Sequence, residues 1–181
     1  MGYEQKILPH YTYDDYVQWE GRWELIDGIP FAMSPAPVPK HQRVSSSLNY
    51  ELVGAVRRSQ CKNCFVYEPL DYKVAEDTIV QPDLLIVCGK INKPFLDFPP
   101  VLVVEILSPS TALKDRHAKF GIYESGGVKY YLIVDVDKET IEIYLLTEGK
   151  YLLMEKDIKE PVDFSFEDDC SVSVLFNEIW K

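Results

Sequence analysis

The chain has 181 residues, of which 46% are hydrophobic and 13% aromatic, and its formal net charge is −10. This length suits one hydrophobic core, so we expect residues 1–181 to form a single domain. The acidic balance argues against a protein that coats nucleic acid without sequence preference. No apolar run reaches the length of a membrane span and the N-terminus does not resemble a signal peptide, so we expect a cytoplasmic protein without a membrane partner.

The first predicted elements are two short structures and one long helix. Residues 11–19 have apolar residues near helical spacing, which predicts a short helix. Residues 23–33 predict a hairpin, because Asp27-Gly28 is a strong two-residue turn signal between alternating strands. From His41 to about residue 59, an apolar stripe predicts a long amphipathic helix; the stripe consists of Val44, Leu48, Leu52, Val53 and Val56.

Two apolar runs in the middle of the chain each contain one carboxylate. Residues 78–87 and 100–107 are typical of buried strands, and they carry Asp83 and Glu105. A carboxylate inside a core needs a partner, and two carboxylates on neighbouring strands commonly share a divalent metal ion. If both side chains point toward the same edge of the sheet, they form a hard-oxygen site suited to Mg²⁺ or Mn²⁺.

A second helix is predicted to leave directly from the strand that carries Glu105. It spans about residues 112–125 and ends at Gly126-Gly127. Asp115, Lys119 and Tyr123 recur on it at i, i+4 and i+8, so they share one face. The Lys119 ammonium could stabilise a transition state or orient a water molecule. An ordinary solvated face with one i, i+4 ion pair explains the same spacing equally well.

The remaining strands complete an α/β protein. Short strands are predicted at residues 64–67, 70–74 and 151–154, and 129–136 should pair with 140–146 as a hairpin. The helix between the strand of Glu105 and strand 129–136 implies a right-handed crossover between parallel neighbours. We therefore expect one mixed, twisted sheet flanked by helices, with the apolar residues of 161–181 docked on its body.

The four cysteines do not form a metal motif in the sequence. Cys61 and Cys64 form a CxxC pair, whereas Cys88 and Cys170 stand alone. A structural zinc site usually needs a second close pair of cysteines or a pair of histidines, and a thioredoxin-type pair would follow a strand and not a helix. We therefore expect reduced thiols, as is usual in a cytosolic protein.

Three basic segments could form a rim for an anionic substrate, although composition favours the simpler interpretation that they are solvated faces. They are Lys40-His41-Gln42-Arg43, Arg57-Arg58 with Lys62, and Lys114-Asp115-Arg116-His117 with Lys119.

Taken together, the motifs resemble the Uma-two family, which is classed among restriction endonucleases of the PD-(D/E)xK nuclease superfamily. The resemblance covers about residues 23–151 and rests on a connected series of motifs. These are Glu24-Leu-Ile-Asp-Gly28, Met33-Ser-Pro35, His41, Pro82-Asp83, Glu105-Ile-Leu-Ser-Pro-Ser-Thr111, Asp115-x-x-x-Lys119-x-x-x-Tyr123 and Gly127-Val-Lys-Tyr-Tyr-Leu-Ile-Val-Asp135.

The resemblance implies a restriction-endonuclease-like fold, dependence on Mg²⁺ or Mn²⁺, and hydrolysis of DNA phosphodiester bonds. Asp83 and Glu105 would be the metal ligands, and both would be catalytic together with Lys119. Two positions after Glu105, Leu107 replaces the lysine that is usual in the superfamily, and the family's account moves the lysine role to the following helix. Restriction-type enzymes usually pair across a two-fold axis, so a homodimer is expected.

Five further residues are supporting candidates: Glu24, His41, Ser108, Asp115 and Tyr123. Glu24 could add an acidic ligand or be an ordinary hydrogen-bonded surface residue. His41 could reach the site or simply begin its helix, and Ser108 could cap the following helix or orient Glu105.

Other functions remain open at this point. The absent lysine at position 107 and the acidic balance also suit a catalytically degenerate nuclease-fold protein that acts as a binding or assembly module. A small-substrate metal hydrolase is a further alternative. The sequence does not distinguish DNA from RNA, because metal-assisted phosphodiester cleavage does not depend on the sugar.

Overall fold

The computed structural model describes residues 9–33, 38–108, 112–156, 158, 160–166 and 170–181. Strands and helices alternate irregularly along the chain, as expected for a mixed α/β protein. The helices are α1 (Tyr13–Tyr16), α2 (Pro39–Arg58), a π-helix (Lys114–Lys119), α3 (Phe120–Ser125) and a 3₁₀-helix (Asn177–Trp180). The strands are β1 (Trp23–Ile26), β2 (Ile29–Ala32), β3 (Cys64–Tyr67), β4 (Tyr72–Ala75), β5 (Thr78–Val80), β6 (Leu84–Cys88), β7 (Leu102–Ile106), β8 (Tyr130–Asp135), β9 (Thr140–Thr147), β10 (Lys150–Lys156), β11 (Val162–Ser165) and β12 (Ser171–Val174).

The main sheet has six strands in the order β10-β9-β8-β7-β6-β3. Among the strands that the structure describes, β7 and β8 are the parallel pair of this sheet, with Glu105 opposite Ile133, and the other pairs are antiparallel. The π-helix and α3 connect β7 to β8, as a parallel connection requires. The predicted mixed sheet is thus confirmed, and two smaller antiparallel sheets accompany it, in the orders β2-β1-β5-β4 and β11-β12.

Both faces of the central strands of the main sheet are buried. On β7, Leu102, Val104 and Ile106 pack in one core with α2 and the C-terminal hairpin. Val103 faces the opposite core, which also contains Leu107 and the Tyr123 side chain of α3. Side chains alternate along a strand, so Glu105 belongs to the face that carries the helix following its own strand.

The predicted strand 78–87 is two strands in two different sheets. β5 ends at Val80 in the four-stranded sheet, and β6 begins at Leu84 in the six-stranded sheet. Pro82 lies between them; it has no N–H for a ladder hydrogen bond and restricts the residue before it. The prediction of one strand was therefore wrong, and the break leaves Asp83 at the junction of the two sheets.

The predicted hairpin forms as expected. Ile26 pairs with Ile29 across Asp27 and Gly28, whose φ angles are 50° and 74°. Positive φ at both central residues is the signature of a type I′ turn, which matches the twist of the two strands.

The first long helix begins slightly earlier than predicted. It starts at Pro39, which suits the first position of a helix because proline has no N–H to leave unsatisfied. Its buried side chains include the predicted stripe residues except Val53 and are His41, Val44, Leu48, Leu52, Ala55 and Val56. The stripe packs α2 onto the main sheet.

The helix predicted at 112–125 is present but irregular. Lys114–Lys119 form a π-helix, and only Phe120–Ser125 continue as α-helix. Gly127, with a φ of 80°, follows its C-terminal end as predicted. The expectation of a regular α-helix was wrong over the π segment, where bonding runs from i to i+5.

The C-terminal residues dock on the body as expected. β11 pairs with β12, and Phe164, Val174, Phe176 and Ile179 are buried in the core that contains α2. Within the described part of the chain, no helix combines the length and the apolarity that crossing a membrane requires.

The expectation of reduced cysteines was wrong. The structure contains two disulfides, Cys61–Cys170 and Cys64–Cys88. The partners are 109 and 24 residues apart in the chain, so their proximity comes from the tertiary fold and not from any local spacing.

Candidate functional site

Glu105 lies at the centre of a buried network of charged and phenolic side chains. It is 2% exposed, and its Oε1 accepts a hydrogen bond from Lys119 Nζ at 2.8 Å. The same oxygen accepts a second hydrogen bond from the Tyr123 hydroxyl at 2.6 Å. Strand β7 thus presents its carboxylate directly to the helix that follows it.

Lys119 stands among three carboxylates. Besides Glu105, its Nζ lies 2.7 Å from Glu24 Oε1 and 3.6 Å from Asp115 Oδ1. Burial opposes the charge of Lys119, but the charges of Glu105, Glu24 and Asp115 outweigh this and raise the pKa of its ammonium group. The group is therefore held as a cation.

Glu24, on β1, closes the other side of the network and is fully buried. Its Oε1 also accepts a hydrogen bond from the Gln81 backbone N–H at 3.0 Å, and its Oε2 accepts one from Lys114 Nζ. Burial opposes the charge of Glu24, but the ammonium groups of Lys119 and Lys114 outweigh it, so the pKa of Glu24 is lowered.

Sequence reasoning missed the contribution of Lys114 to this site. Lys114 and Lys119 are five residues apart, and in a regular α-helix they would diverge around the axis. In a π-helix, which bonds i to i+5, residues five apart come close to the same face. The irregular segment thereby brings two ammonium groups onto one carboxylate, Glu24.

Asp83 approaches the network from the start of β6. Leu84 pairs with Val104, so continuing this register places Asp83 opposite Glu105. Its Oδ2 accepts a hydrogen bond from the Ile106 backbone N–H at 2.8 Å, and its side chain is 25% exposed. The carboxylates of Asp83 and Glu105 are close enough for the first to raise the pKa of the second.

His41 links Asp83 to the end of β7. Its Nε2 lies 3.0 Å from the Ile106 carbonyl oxygen and 3.5 Å from Asp83 Oδ2. Burial lowers the pKa of His41, but the hydrogen bond and charge of Asp83 outweigh this and raise it. Among the described residues, His41 Nδ1 has no hydrogen-bond partner.

Two further residues support the helix that carries Lys119. The Ser108 carbonyl oxygen accepts a hydrogen bond from the Ala112 N–H at 3.0 Å, so Ser108 lies where the helix begins. The Tyr131 hydroxyl on β8 donates to the Asp115 carbonyl oxygen at 2.8 Å. Tyr131 was not predicted; its only signal is a phenol placed in an apolar strand.

The structure brings five of the predicted side chains into one network of direct contacts: Glu24, Glu105, Asp115, Lys119 and Tyr123. His41 and Asp83 contact each other, and Asp83 is tied to the network through the backbone N–H of Ile106, next to Glu105; Ser108 lies beside it. Together these residues include four carboxylates. Burial raises the pKa of Glu105 well above its usual value, against the charge of Lys119, and the charges of Asp115, Asp83 and Glu24 raise it further.

The two predicted metal ligands each keep one oxygen available. Within the described part of the chain, the hydrogen bonds and ion pairs of Glu105 fall on Oε1, and those of Asp83 fall on Oδ2. Glu105 Oε2, on β7, and Asp83 Oδ1, just before β6, are therefore hard carboxylate-oxygen donors. This donor set fits Mg²⁺ or Mn²⁺, which prefer carboxylate oxygen.

Comparison with known proteins identifies the family of this chain. Residues 13–174 match the model of the Uma2 family, described as "Putative restriction endonuclease". The chain belongs to the Uma2 family. The resemblance drawn from the motifs is therefore confirmed.

Two individual proteins resemble this Uma2 chain. "Uncharacterized protein slr1290" of Synechocystis sp. is 28% identical over 156 residues, which cover 81% of this chain and 80% of the relative. A crystal structure from Anabaena variabilis ATCC 29413, described as "a putative nuclease belonging to DUF820", matches with a TM-score of 0.73. That match has 18% identity and covers 94% of this chain and 97% of the other, so the two share a fold.

The three basic segments of this Uma2 chain differ in whether their positive charges are available to an anionic substrate. Lys114 and Lys119 are held by Glu24, and Arg116 Nη1 lies 2.8 Å from Glu142 Oε2, so the third segment is largely neutralised by acids. The second segment, Arg57-Arg58 with Lys62, begins 16 residues beyond His41, about 24 Å away along α2. In the first segment, Arg43 is exposed on the same helix end as His41.

Proposed function

We propose that this chain is a Mg²⁺-dependent endonuclease that hydrolyses DNA phosphodiester bonds. The observation that carries the proposal is the convergence of Asp83 and Glu105, each with one available oxygen, beside the ammonium group of Lys119. Membership of the Uma2 family supports a nuclease, and the available oxygens support a metal-dependent one.

Asp83 and Glu105 would hold the ion, and Mn²⁺ would satisfy the same ligands. A bound divalent ion polarises a phosphoryl oxygen and lowers the pKa of a coordinated water. The Ile106 N–H and His41 orient Asp83, and Tyr123 orients Glu105 through the hydrogen bond to Oε1.

Lys119 is assigned an electrostatic role. Because neighbouring carboxylates raise its pKa, it remains protonated and does not act as a general base. Its ammonium group instead stabilises the negative charge that develops on phosphorus oxygens in the transition state. Glu24 and Asp115 also contact this ammonium group and help to position it.

The proposal includes a homodimer and a cytoplasmic location. Two copies related by a two-fold axis would place one site on each strand of a duplex, so both strands could be cut in one binding event. Light scattering during size exclusion would measure the mass of the particle. A mass of one chain at micromolar concentration would reject the dimer and leave a nicking activity.

One observation favours a second candidate, a catalytically degenerate module that binds or assembles through this fold. Glu105 and Lys119 are each only 2% exposed, and Lys119 is shared among three carboxylates. Such a site could bind an ion for stability without admitting a phosphodiester. Binding of Mg²⁺ without cleavage would support this candidate.

The deciding experiment is cleavage of supercoiled plasmid with Mg²⁺ or Mn²⁺. Wild-type protein should nick the plasmid, whereas Asp83→Asn and Glu105→Gln should each lower the rate at least about 100-fold, or about 2.7 kcal/mol. Asp163→Asn, on an exposed position of β11, is the matched control and should retain full activity. Full activity in Glu105→Gln would reject the assigned site, and faster cleavage of an RNA substrate would reject DNA as the target.

A further inference from the structure

The four cysteines converge at one end of the core. The Sγ atoms of Cys61, Cys64 and Cys170 all lie within 4.8 Å of one another. Cys64 Sγ and Cys170 Sγ are 4.0 Å apart although they belong to different disulfides, and Cys88 is bonded to Cys64. We call these four residues the cysteine cluster. It holds every cysteine of the chain.

Three separate parts of the fold supply the cluster. Cys61 lies in the connection between α2 and β3, and Cys64 is the first residue of β3. Cys88 is the last residue of β6 and the direct pairing partner of Cys64. Cys170 comes immediately before β12. The tertiary structure thus adds the second pair of cysteines that the sequence does not place close to the first.

We propose that the reduced cysteine cluster binds one Zn²⁺ ion as a tetrathiolate site. Zinc–sulfur bonds of about 2.3 Å in a tetrahedron place the sulfurs about 3.8 Å apart, close to the 4.0 Å between Cys64 and Cys170. Thiolate sulfur prefers a soft ion, and four such ligands select zinc over Mg²⁺. The Cys61-x-x-Cys64 spacing is also the usual first half of such a site.

The zinc form and the disulfide form are alternative states of the same four side chains. Two molecules of a dithiol reductant would reduce both disulfides, yielding four thiols and two oxidised dithiols. Binding one Zn²⁺ then releases four protons and leaves a site of charge −2. In a reducing cytosol, a CxxC pair with two further cysteines is more often a metal site than a set of disulfides.

The surroundings suit a metal that is structural and also accessible to exchange. Cys61, Cys64 and Cys170 are at most 9% exposed, so water does not occupy a ligand position easily. A groove of about 560 Å³ passes beside Cys61 and Cys64 and carries Arg57 and Lys62 on its walls. These cations favour thiolate over thiol and offset the negative charge of the site.

The proposed ion would join the C-terminal hairpin to the main sheet. Cys170 immediately precedes β12, whereas Cys64 and Cys88 lie on β3 and β6. The cluster lies beyond the C-terminal end of α2, while His41 and the carboxylate network lie at its other end, about 24 Å away. The inference is therefore independent of the proposed nuclease activity.

The test is Co²⁺ binding by protein whose four thiols have been reduced and counted with a thiol reagent. Wild-type protein should show the strong visible bands of a tetrahedral tetrathiolate complex, and these bands should saturate when one equivalent of Co²⁺ is bound by the thiols. Zn²⁺ should abolish these bands, and elemental analysis should then find one zinc per chain. Cys88→Ser and Cys170→Ser should each lose the tetrathiolate spectrum.

A matched control separates this site from the carboxylates. Glu105→Gln removes a carboxylate of the other network and should leave the Co²⁺ spectrum unchanged. Reduced wild-type protein that carries four thiols but binds no Co²⁺ would overturn the proposal. Protein that unfolds on reduction would support it if Zn²⁺ restores the fold, and would overturn it if Zn²⁺ does not.

Discussion

Lys119 Nζ lies 2.8 Å from Glu105 Oε1, although 14 positions separate the two residues in the chain. Two positions after Glu105, where the resemblance drawn from the motifs led us to expect a lysine, Leu107 is 7% exposed in an apolar core. The ammonium group therefore reaches the carboxylate from the following helix and not from the same strand. The position of this ammonium group next to Glu105 therefore depends on the π-helix that carries Lys119.

Replacing Lys119 should damage both stability and cleavage. Lys119→Met leaves Glu24 and Glu105 without their shared hydrogen-bond donor, and breaking a buried ion pair costs about 3 to 5 kcal/mol. Urea unfolding should show this loss, and single-turnover plasmid cleavage should fall at least about 100-fold. Lys138→Met removes an exposed ion pair with Asp135 and should change neither measurement appreciably.

The Tyr123 hydroxyl should act through Glu105 on metal affinity. Tyr123→Phe removes the 2.6 Å hydrogen bond to Glu105 Oε1, which favours the ionised carboxylate. Partners that orient a ligand typically contribute a factor of 10 to 100, so Mn²⁺ affinity measured by calorimetry should weaken about 10-fold.

Tyr131→Phe is the matched control for this prediction. Its hydroxyl donates to the Asp115 carbonyl oxygen and makes no hydrogen bond to Glu105. Both substitutions should cost about 1 kcal/mol of stability, but only Tyr123→Phe should weaken metal binding. If Tyr123→Phe and Tyr131→Phe changed the Mn²⁺ affinity equally, the Tyr123 hydroxyl would have no specific effect on the metal ligand Glu105.

Glu24 should make stability depend on pH in the acid range. Burial opposes the charge of Glu24, but Lys119 and Lys114 lower its folded-state pKa. Its contribution to the free energy of unfolding is therefore fully present above the ordinary glutamate pKa. The contribution is lost as the pH falls through the folded-state pKa. Glu24→Gln should therefore be less stable than wild type near neutral pH, and urea unfolding should show this difference shrinking in acid.

Glu76→Gln is the corresponding exposed variant, since Glu76 pairs with Lys73 and its side chain is 77% exposed. Such a pair contributes little, so this variant should follow wild type over the whole range. A difference between Glu24→Gln and wild type that grows in acid would contradict the assigned direction of the pKa shift.

The C-terminal hairpin should be an integral part of the core. Phe164 is fully buried, and its ring centroid lies 5.0 Å from that of Tyr130 on the main sheet. Phe164→Ala should cost about 3 to 5 kcal/mol in urea unfolding, because it removes a large buried ring and leaves a cavity. Leu152→Ala, at a position that is 57% exposed, should have little effect.

Local sequence patterns predicted most helices and strands, but not the places where a strand breaks or a helix becomes irregular. The turn at Asp27-Gly28 was predictable because few residue pairs accept positive φ at both positions. The break at Pro82 was missed because the apolar run continues on both sides of it. The π-helix was missed because Asp115, Lys119 and Tyr123 fit regular helical spacing, and nothing local indicates the extra residue in the turn.

Which residues belong to the candidate site was easier to predict than which atoms contact one another. The carboxylates were visible because a charge inside an apolar strand is costly and needs a partner. Lys114 and Tyr131 carry no comparable signal, since a lysine on a helix and a tyrosine in a strand are both ordinary. Their roles follow from where the π-helix and β8 bring them.

The sequence by itself determined the family, the mixed α/β character and most of the residues that form the buried charged cluster, because these depend on local patterns of apolarity, turns and charge. The tertiary structure decided which atoms meet: Lys119 with three carboxylates, and four scattered cysteines at one place. Contacts between residues far apart in the chain depend on the packing of whole elements, and no local pattern specifies that packing.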